Sequence, residues 1–395
     1  MTDADRQADG RWMRRALALA RRAEGRTSPN PLVGAVVVKN GRAVGEGWHK
    51  GPGRPHAEIE ALTAAGRRAK GATLYVTLEP CTHTDKRTPP CAPAVIRSAP
   101  ARVVVGMRDP NPKVAGRGVA ALKAAGIAVG VGVEEARCRG LNAPYVRAME
   151  TGLPWVTLKV AQTLDGKVAT ARGESKWITG EAARRHGHGL RARNDVILVG
   201  VGTVLADDPA LTCRLVRGRD PVRVVVDPRL ETPPNARVLT EGRPTPTILA
   251  TLAATLAATP AAKPTAARRL EAAGARLLKV RGRAGRMDLG WLLMALAAEG
   301  RHRVLCEGGP RLAAELVGRG LVNRVAFYTA PRILGGDDAR GAIGGTAPAR
   351  LAGALRLGPL AVRRLGDDVL IEADVLPPEG RNISRKRGAG KGDRK

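Results

Sequence analysis

Apolar residues along the first 150 positions alternate between helical and strand periods. Trp12–Ala23 has the helical rhythm, whereas Val33–Lys39 and Arg42–Trp48 read as two strands joined by Asn40-Gly41, a pair that favours a tight hairpin. Helices follow at His56–Ala69, Cys91–Ser98 and Gly118–Ala125, interleaved with strands at Ala72–Leu78, Arg102–Met107 and Ile127–Val133. That order predicts an α/β sandwich around a central sheet. Glu134–Glu150 reads as an exit helix, and Thr151-Gly152-Leu153-Pro154 as the end of a domain covering residues 1–150.

A second α/β series runs from Trp155 to about residue 376. Strands are expected at Trp155–Ala161, Asp195–Val199, Val222–Asp227, Thr247–Thr251, Arg276–Val280, Arg303–Glu307 and Arg324–Tyr328. Helices are expected at Gly180–Arg193, Thr265–Ala273, Leu289–Glu299 and Pro310–Arg319. The Ala/Thr-rich stretch Leu249–Ala262 is too short and too hydroxylated to span a membrane, and no long apolar run occurs elsewhere. Residues 377–395 are rich in Pro, Gly, Lys and Arg and are expected to be a disordered basic tail.

Length and composition agree with this division. A chain of 395 residues, 44% apolar, has the size and character of two globular domains. Met1–Gly10 shows no secretory pattern. Five scattered cysteines do not form a disulfide framework, so a cytoplasmic location is expected. The net charge of +30 invites a nucleic-acid partner, yet only 2% of residues are aromatic, leaving few stacking platforms. Attraction of a phosphorylated small molecule accounts for the charge as economically.

The candidate chemistry of the first half lies in Pro55-His56-Ala57-Glu58, Glu79-Pro80-Cys81 and Pro89-Pro90-Cys91. Zinc favours tetrahedral nitrogen and thiolate ligands, and a catalytic zinc keeps one position open for water. His56, Cys81 and Cys91 supply three ligands, predicting one Zn2+ per chain. Glu58 borders the site and can carry a proton from zinc-bound water to the ring and the departing ammonia. Base deaminases divide the labour in this way. His83 is a possible fourth ligand of a purely structural site, whereas Cys138, Cys213 and Cys306 lack partner spacing and read as core residues. Nine residues separate Cys81 from Cys91, and Lys86 and Arg87 among them suit a substrate phosphate, although a solvated loop has the same composition.

In the second half, no G-x-G-x-x-G follows a strand. Gly308-Gly309-Pro310, between a strand and a helix, is either a plain turn or a place where backbone amides meet a phosphate. Lys159 interrupts an apolar strand pattern, which fits either an edge strand or a functional site.

The whole arrangement, from about Trp12 to about Val375, resembles the bifunctional riboflavin-biosynthesis deaminase/reductase family. The resemblance rests on Ser28-Pro29-Asn30-Pro31-Leu32-Val33-Gly34, His56-Ala57-Glu58 and Tyr75-Val76-Thr77-Leu78-Glu79-Pro80-Cys81. It continues through Asp109-Pro110-Asn111-Pro112, Leu164-Asp165-Gly166-Lys167, Trp177-Ile178-Thr179, Gly200-Val201-Gly202-Thr203 and Glu307-Gly308-Gly309-Pro310. It implies a cytidine-deaminase-like α/β/α sandwich followed by a dihydrofolate-reductase-like α/β domain, assembled as a homo-oligomer. The implied reactions are zinc-hydroxide deamination of 2,5-diamino-6-ribosylamino-4(3H)-pyrimidinone 5′-phosphate and NADPH-dependent reduction of the ribosyl group to ribityl. Rival readings are a deaminase of another base or nucleotide with a divergent reductase domain, or an RNA-associated deaminase-fold protein.

By the same resemblance, Asn30 and His49 line the deaminase pocket and Lys86 reaches substrate. The family's cysteine loop is commonly one residue shorter, which leaves Arg87 as an alternative match. In the reductase half the resemblance implies a required lysine at Lys159. It implies cofactor contacts at Ala161, Trp177, Thr203, Asp207, Gly309, Pro310, Arg311 and Leu312, and substrate contacts at Ser175, Arg191, Leu211, Arg214 and Glu307. Pro228 stands where the family often has Ser or Thr and, lacking a hydroxyl and an amide donor, is left out of the cofactor site.

Overall fold

A computed structural model describes residues 3–84, 88–242, 247–257, 263–283 and 285–377. Lys86, Arg87 and the basic tail from residue 378 onward lie outside the described residues.

The first half is built from α1 (Asp3–Arg21), β1 (Gly34–Lys39), β2 (Arg42–Trp48), α2 (Ala57–Ala65), β3 (Thr73–Leu78), α3 (Cys91–Arg97), β4 (Arg102–Met107), α4 (Arg117–Ala124), β5 (Ala128–Val131), α5 (Glu135–Leu141) and α6 (Ala143–Thr151). One five-stranded sheet results, in the order β2-β1-β3-β4-β5. The hairpin forms where Asn40 and Gly41 both take positive φ, as a type I′ turn requires. The β3–β4 and β4–β5 pairs are parallel, each joined through a crossover helix. Met13, Ala16, Leu17 and Leu19 of α1 pack with the sheet in one core.

The expected single helix over Glu134–Glu150 is two helices. Asn142 stands between them with φ −104°, its side-chain oxygen accepting from Leu32 N at 2.8 Å and its amide donating to Leu32 O at 2.9 Å. Those bonds hold the break open, and Pro144 opens the next helix.

The second half comprises β6 (Trp155–Thr163), β7 (Lys167–Ala169), α7 (Glu181–Arg193), β8 (Val196–Gly200), α8 (Val201–Asp207), β9 (Val222–Val226), α9 (Arg237–Thr240), β10 (Thr247–Leu252), α10 (Ala253–Ala257), α11 (Lys263–Ala272) and β11 (Ala275–Val280). It continues with β12 (Gly282–Arg283), β13 (Arg286–Met287), α12 (Leu289–Ala298), β14 (Arg303–Cys306), α13 (Pro310–Gly318), β15 (Arg324–Ala330), β16 (Arg340–Gly341), β17 (Ala361–Leu365) and β18 (Asp368–Asp374). Nine strands form one sheet, β11-β10-β9-β8-β14-β6-β15-β18-β17, parallel as far as β15 and antiparallel beyond it. Alternate residues of β8 enter different cores: Val196 and Leu198 meet α12 and α13, while Ile197 and Val199 meet the α11 side. A parallel sheet covered on both faces accounts for the near-continuous apolar strands.

Several elements escape the hydrophobic pattern, among them the short β7, α9, α10, β12, β13 and β16, the β17–β18 hairpin and α8. The β17–β18 hairpin has an exposed outer strand with Arg363 and Arg364 and so lacks a strand-like alternation. Helix α8 begins inside Gly200-Val201-Gly202-Thr203, whose glycines disguise it. No helix among the described residues is long and apolar enough to cross a membrane.

Candidate active sites

Three chain segments converge on the first site. His56 is the N-cap residue of α2, Cys81 follows β3 after Glu79-Pro80, and Cys91 is the first residue of α3. The loop between the cysteines returns because the amides of Cys91 and Ala92 both donate to the Cys81 carbonyl at 3.1 Å, satisfying two orphan donors of α3. His56 Nδ1 lies 3.6 Å from Cys81 Sγ and 3.2 Å from Cys91 Sγ. A tetrahedral zinc with ordinary bond lengths separates a nitrogen from a sulfur ligand by about 3.5 Å, so the donor set fits the ion. The group of converging donors comprises these three residues without His83, which removes His83 as a fourth ligand among the described residues.

Glu58 sits on the first turn of α2 and is 3% exposed. Burial, then the charge of Cys81, pushes its carboxyl up to about 7. Glu79, also buried, accepts the backbone amides of Asp109, Gly116 and Val119. It thereby ties the Asp109–Pro112 motif and the start of α4 behind Cys81, and a Cβ on Gly118 would stand 2.0 Å from the Pro80 carbonyl. Asn30 Nδ2 is 3.0 Å from His49 Nε2, whose Nδ1 is 3.2 Å from the Pro55 carbonyl. This arrangement assigns the proton to Nδ1, with Asn30 donating to Nε2. His49 stands edge-on to His56, ring centroids 5.2 Å apart.

The second site is a cavity of about 1540 Å³ over the carboxyl ends of the parallel strands, the crevice in which open α/β sheets bind ligands. Every reductase-half residue given a site role from the sequence borders it: Lys159, Ala161, Ser175, Trp177, Arg191, Thr203, Asp207, Leu211, Arg214, Glu307 and the Gly309–Leu312 turn. Lys159 lies on β6, between β14 and β15, so the edge-strand alternative fails and the side chain meets the cavity instead. Arg191 holds Glu307 through two bonds, Nε to Oε1 at 2.8 Å and a second guanidinium nitrogen to Oε2 at 2.9 Å. Lys159 Nζ is 3.8 Å from Glu307 Oε2. Burial would raise the Glu307 carboxyl, but Arg191 and Lys159 outweigh it and hold it down to about 2. Burial lowers the Lys159 ammonium, with Glu307 opposing.

Pro310 is the first residue of α13, and Gly309 faces Thr203 Oγ1 on α8, so two helix starts converge there. Ser175 donates to Asp207 at 2.9 Å, and Trp177 lies exposed under the Arg184 guanidinium. Sequence reasoning missed Tyr328, whose ring lies 5.3 Å from Lys159 Nζ and whose hydroxyl pairs with His186 Nδ1 at 2.7 Å. It also missed His188, buried beside Arg191, whose Nδ1 has no hydrogen-bond partner among the described residues. Neither carries a spacing signal. Pro228, set aside for want of a donor, does border the cavity. Cys138 and Cys306 are core residues as expected, but Cys213 is partly exposed, its thiol donating to the Arg219 carbonyl.

A family model described as the RibD C-terminal domain matches residues 154–371, and one for the cytidine and deoxycytidylate deaminase zinc-binding region matches residues 6–107. The riboflavin biosynthesis protein RibD of Aquifex aeolicus is 43% identical over 93% of this chain and 98% of its own. The chain belongs to the RibD family. RibD of Escherichia coli is 41% identical over 92% of this chain and 98% of its own. Among solved structures, RibD of Acinetobacter baumannii superposes with a TM-score of 0.83 at 38% identity, covering 94% of this chain and all of that one. A Thermotoga maritima structure titled diaminohydroxyphosphoribosylaminopyrimidine deaminase/5-amino-6-(5-phosphoribosylamino)uracil reductase gives 0.80 at 34% identity with the same coverage. As a RibD-family member the chain is a bifunctional riboflavin-biosynthesis enzyme, with a zinc-binding deaminase domain and an NADPH-dependent reductase domain.

Proposed function

We propose that residues 1–150 deaminate 2,5-diamino-6-ribosylamino-4(3H)-pyrimidinone 5′-phosphate and that residues 151–376 reduce the ribosyl group of the product to ribityl. The observation that carries this reading is the pairing, in one chain, of a His56–Cys81–Cys91 donor set beside buried Glu58 with a large cavity bordered by Lys159 and Glu307.

His56, Cys81 and Cys91 would hold a zinc ion, which would supply Lewis-acid activation of water. Glu58 is the proton carrier. A carboxyl near neutrality can take a proton from the attacking water and return it to the ring and the leaving ammonia. Asn30 and His49 form the polar wall that holds the pyrimidine, and Lys86 is assigned the substrate phosphate.

In the second half NADPH, when bound, would supply the hydride. Gly309, Pro310, Arg311 and Leu312 receive a cofactor phosphate at the start of α13, with Ala161, Trp177, Thr203 and Asp207 completing that wall. Glu307, fixed by Arg191, orients the ribose hydroxyls, and Lys159 donates a proton beside the opening sugar. Arg191 and Arg214 hold the substrate phosphate, flanked by Ser175 and Leu211. Burial lowers the Lys159 ammonium and so eases its proton release.

The reading further makes the chain a cytoplasmic homo-oligomer with no nucleic-acid partner. Strand β17 supports assembly: it pairs only with β18 among the described residues and exposes Val362 next to exposed Leu360, a sheet edge that a second copy would cover. Light scattering on the purified protein tests this.

The deciding experiment supplies the diaminopyrimidine phosphate with NADPH and follows ammonia release and NADPH oxidation separately. Glu58→Gln is expected to lower deamination by about 10²–10⁴-fold while leaving reduction of supplied intermediate intact. Loss of both activities together would defeat the two-site reading. Metal analysis should find about one zinc per chain, as the ligand count demands.

A further inference from the structure

The turn that carries Asn30 is held from the other half of the chain. Asn30 N donates to the Thr27 carbonyl at 2.8 Å, closing a tight turn over Thr27–Asn30. Within it, Ser28 Oγ donates to Asp195 Oδ2 at 2.8 Å. Asp195 is buried just before β8, and the same oxygen accepts the backbone amides of His302 and Arg303 at 3.0 Å each. Its other oxygen pairs with Arg219. The carboxylate is therefore locked into the sheet of the second half before Ser28 reaches it.

The surrounding surfaces fit closely on both sides. A Cβ on Gly300 would lie 2.9 Å from Pro29 Cβ, and one on Gly25 would lie 3.0 Å from the Ala192 carbonyl. The His302 ring donates to the Pro29 carbonyl. Glu24 and Arg303 form an ion pair across the same seam at 3.9 Å. From this anchored turn, Asn30 reaches His49, and His49 stands against His56.

We propose that the reductase half positions Asn30 in the deaminase site, with Asp195 as the positioning residue acting through the Ser28 hydroxyl. The inference rests on the reading of Asn30 as a wall of the deaminase pocket. A surface turn left to itself samples many conformations, and substrate binding would have to order it; a hydrogen bond to an ionised acceptor removes that cost beforehand. The second domain thus contributes to the first reaction without touching its substrate.

The test uses the full-length zinc-loaded enzyme, the diaminopyrimidine phosphate for deamination and the deaminated intermediate with NADPH for reduction. Ser28→Ala is expected to raise the deaminase KM about 10-fold or more, the worth of one bond to a charged acceptor, with kcat changed less and reduction unchanged. Ser28→Thr, which keeps the hydroxyl, should restore most of the lost affinity. Asn30→Ala is the control on the pocket itself. If Asn30→Ala weakens deamination and Ser28→Ala does not, the brace is wrong and the pocket reading stands. If neither changes deamination, the pocket reading falls and the brace with it. A parallel fall of both activities in Ser28→Ala, or failure of Ser28→Thr to restore KM, also overturns positioning, because a general structural contact would explain either.

Discussion

Glu307 shows how much one buried carboxylate can depend on its neighbours. It is 10% exposed at the side chain, and two cations hold it ionised against burial. A carboxyl held at about 2, against an ordinary 4.5, contributes stability that is fully present above pH 4.5 and disappears as the pH falls through 2. The contribution is on the order of 3 kcal/mol. Glu307→Gln leaves the buried Arg191 without its carboxylate, so its melting temperature should lie well below that of the parent enzyme at pH 6–7. That gap should narrow steadily below about pH 4.5, and calorimetry across pH 2–7 measures it. A gap independent of pH would mean that the ion pair does not carry the loss. At this scale the zinc donors were legible in the sequence because residue identity and spacing are themselves the chemistry. The pairing of Arg191 with Glu307 was not, since 116 positions separate them and only the packing of α7 against β14 brings them together. Asp195 and Tyr328 were invisible for the same reason: an aspartate before a strand and a tyrosine within one are ordinary until the fold supplies their partners.

Elements succeed where periodicity and turn chemistry agree, as in the Asn40-Gly41 hairpin, and mislead where a side chain overrides them, as Asn142 does. The least legible case has the greatest consequence for the deaminase site. Gly45 and Gly47 look like flaws in β2, yet they are where α2 rests. A Cβ at Gly47 would stand 2.5 Å from Ala61 N and 2.6 Å from the Ala57 carbonyl, and one at Gly45 would be 2.2 Å from the Ala61 carbonyl. The helix that presents His56 and Glu58 is therefore set by absent side chains on the strand beneath. Gly47→Ala should force α2 outward at a cost of about 1–3 kcal/mol. Small displacements of catalytic groups are expensive, so kcat/KM for ammonia release should fall at least ten-fold, on the order of what such misplacement costs. NADPH oxidation with supplied intermediate should stay near its original rate, and the ratio of the two activities reports the effect even if expression drops.

Across the whole molecule, the two-domain order and the classes of both sites could be read from the chain, but the seam between the halves could not. Its contacts involve Gly25, Ser28, Asp195, Gly300 and His302, residues with no shared period. The net charge of +30 gains meaning only against the sites. In the reductase cavity Glu307 is matched by Arg191 and Lys159, and the lining as a whole carries nine Lys and Arg side chains against five Asp and Glu, so it is cationic overall. A phosphorylated substrate and a dinucleotide are both drawn toward such a field, and a Debye length of about 10 Å at 0.1 M salt limits its reach. Raising ionic strength from 50 to 500 mM should therefore increase the KM for NADPH and for the phosphorylated intermediate several-fold, on the order expected for screened steering, with kcat little changed. Initial rates over a salt series decide the matter. A salt-independent KM would show that the excess of Arg is a compositional feature of the chain, without consequence for how either ligand finds the cavity.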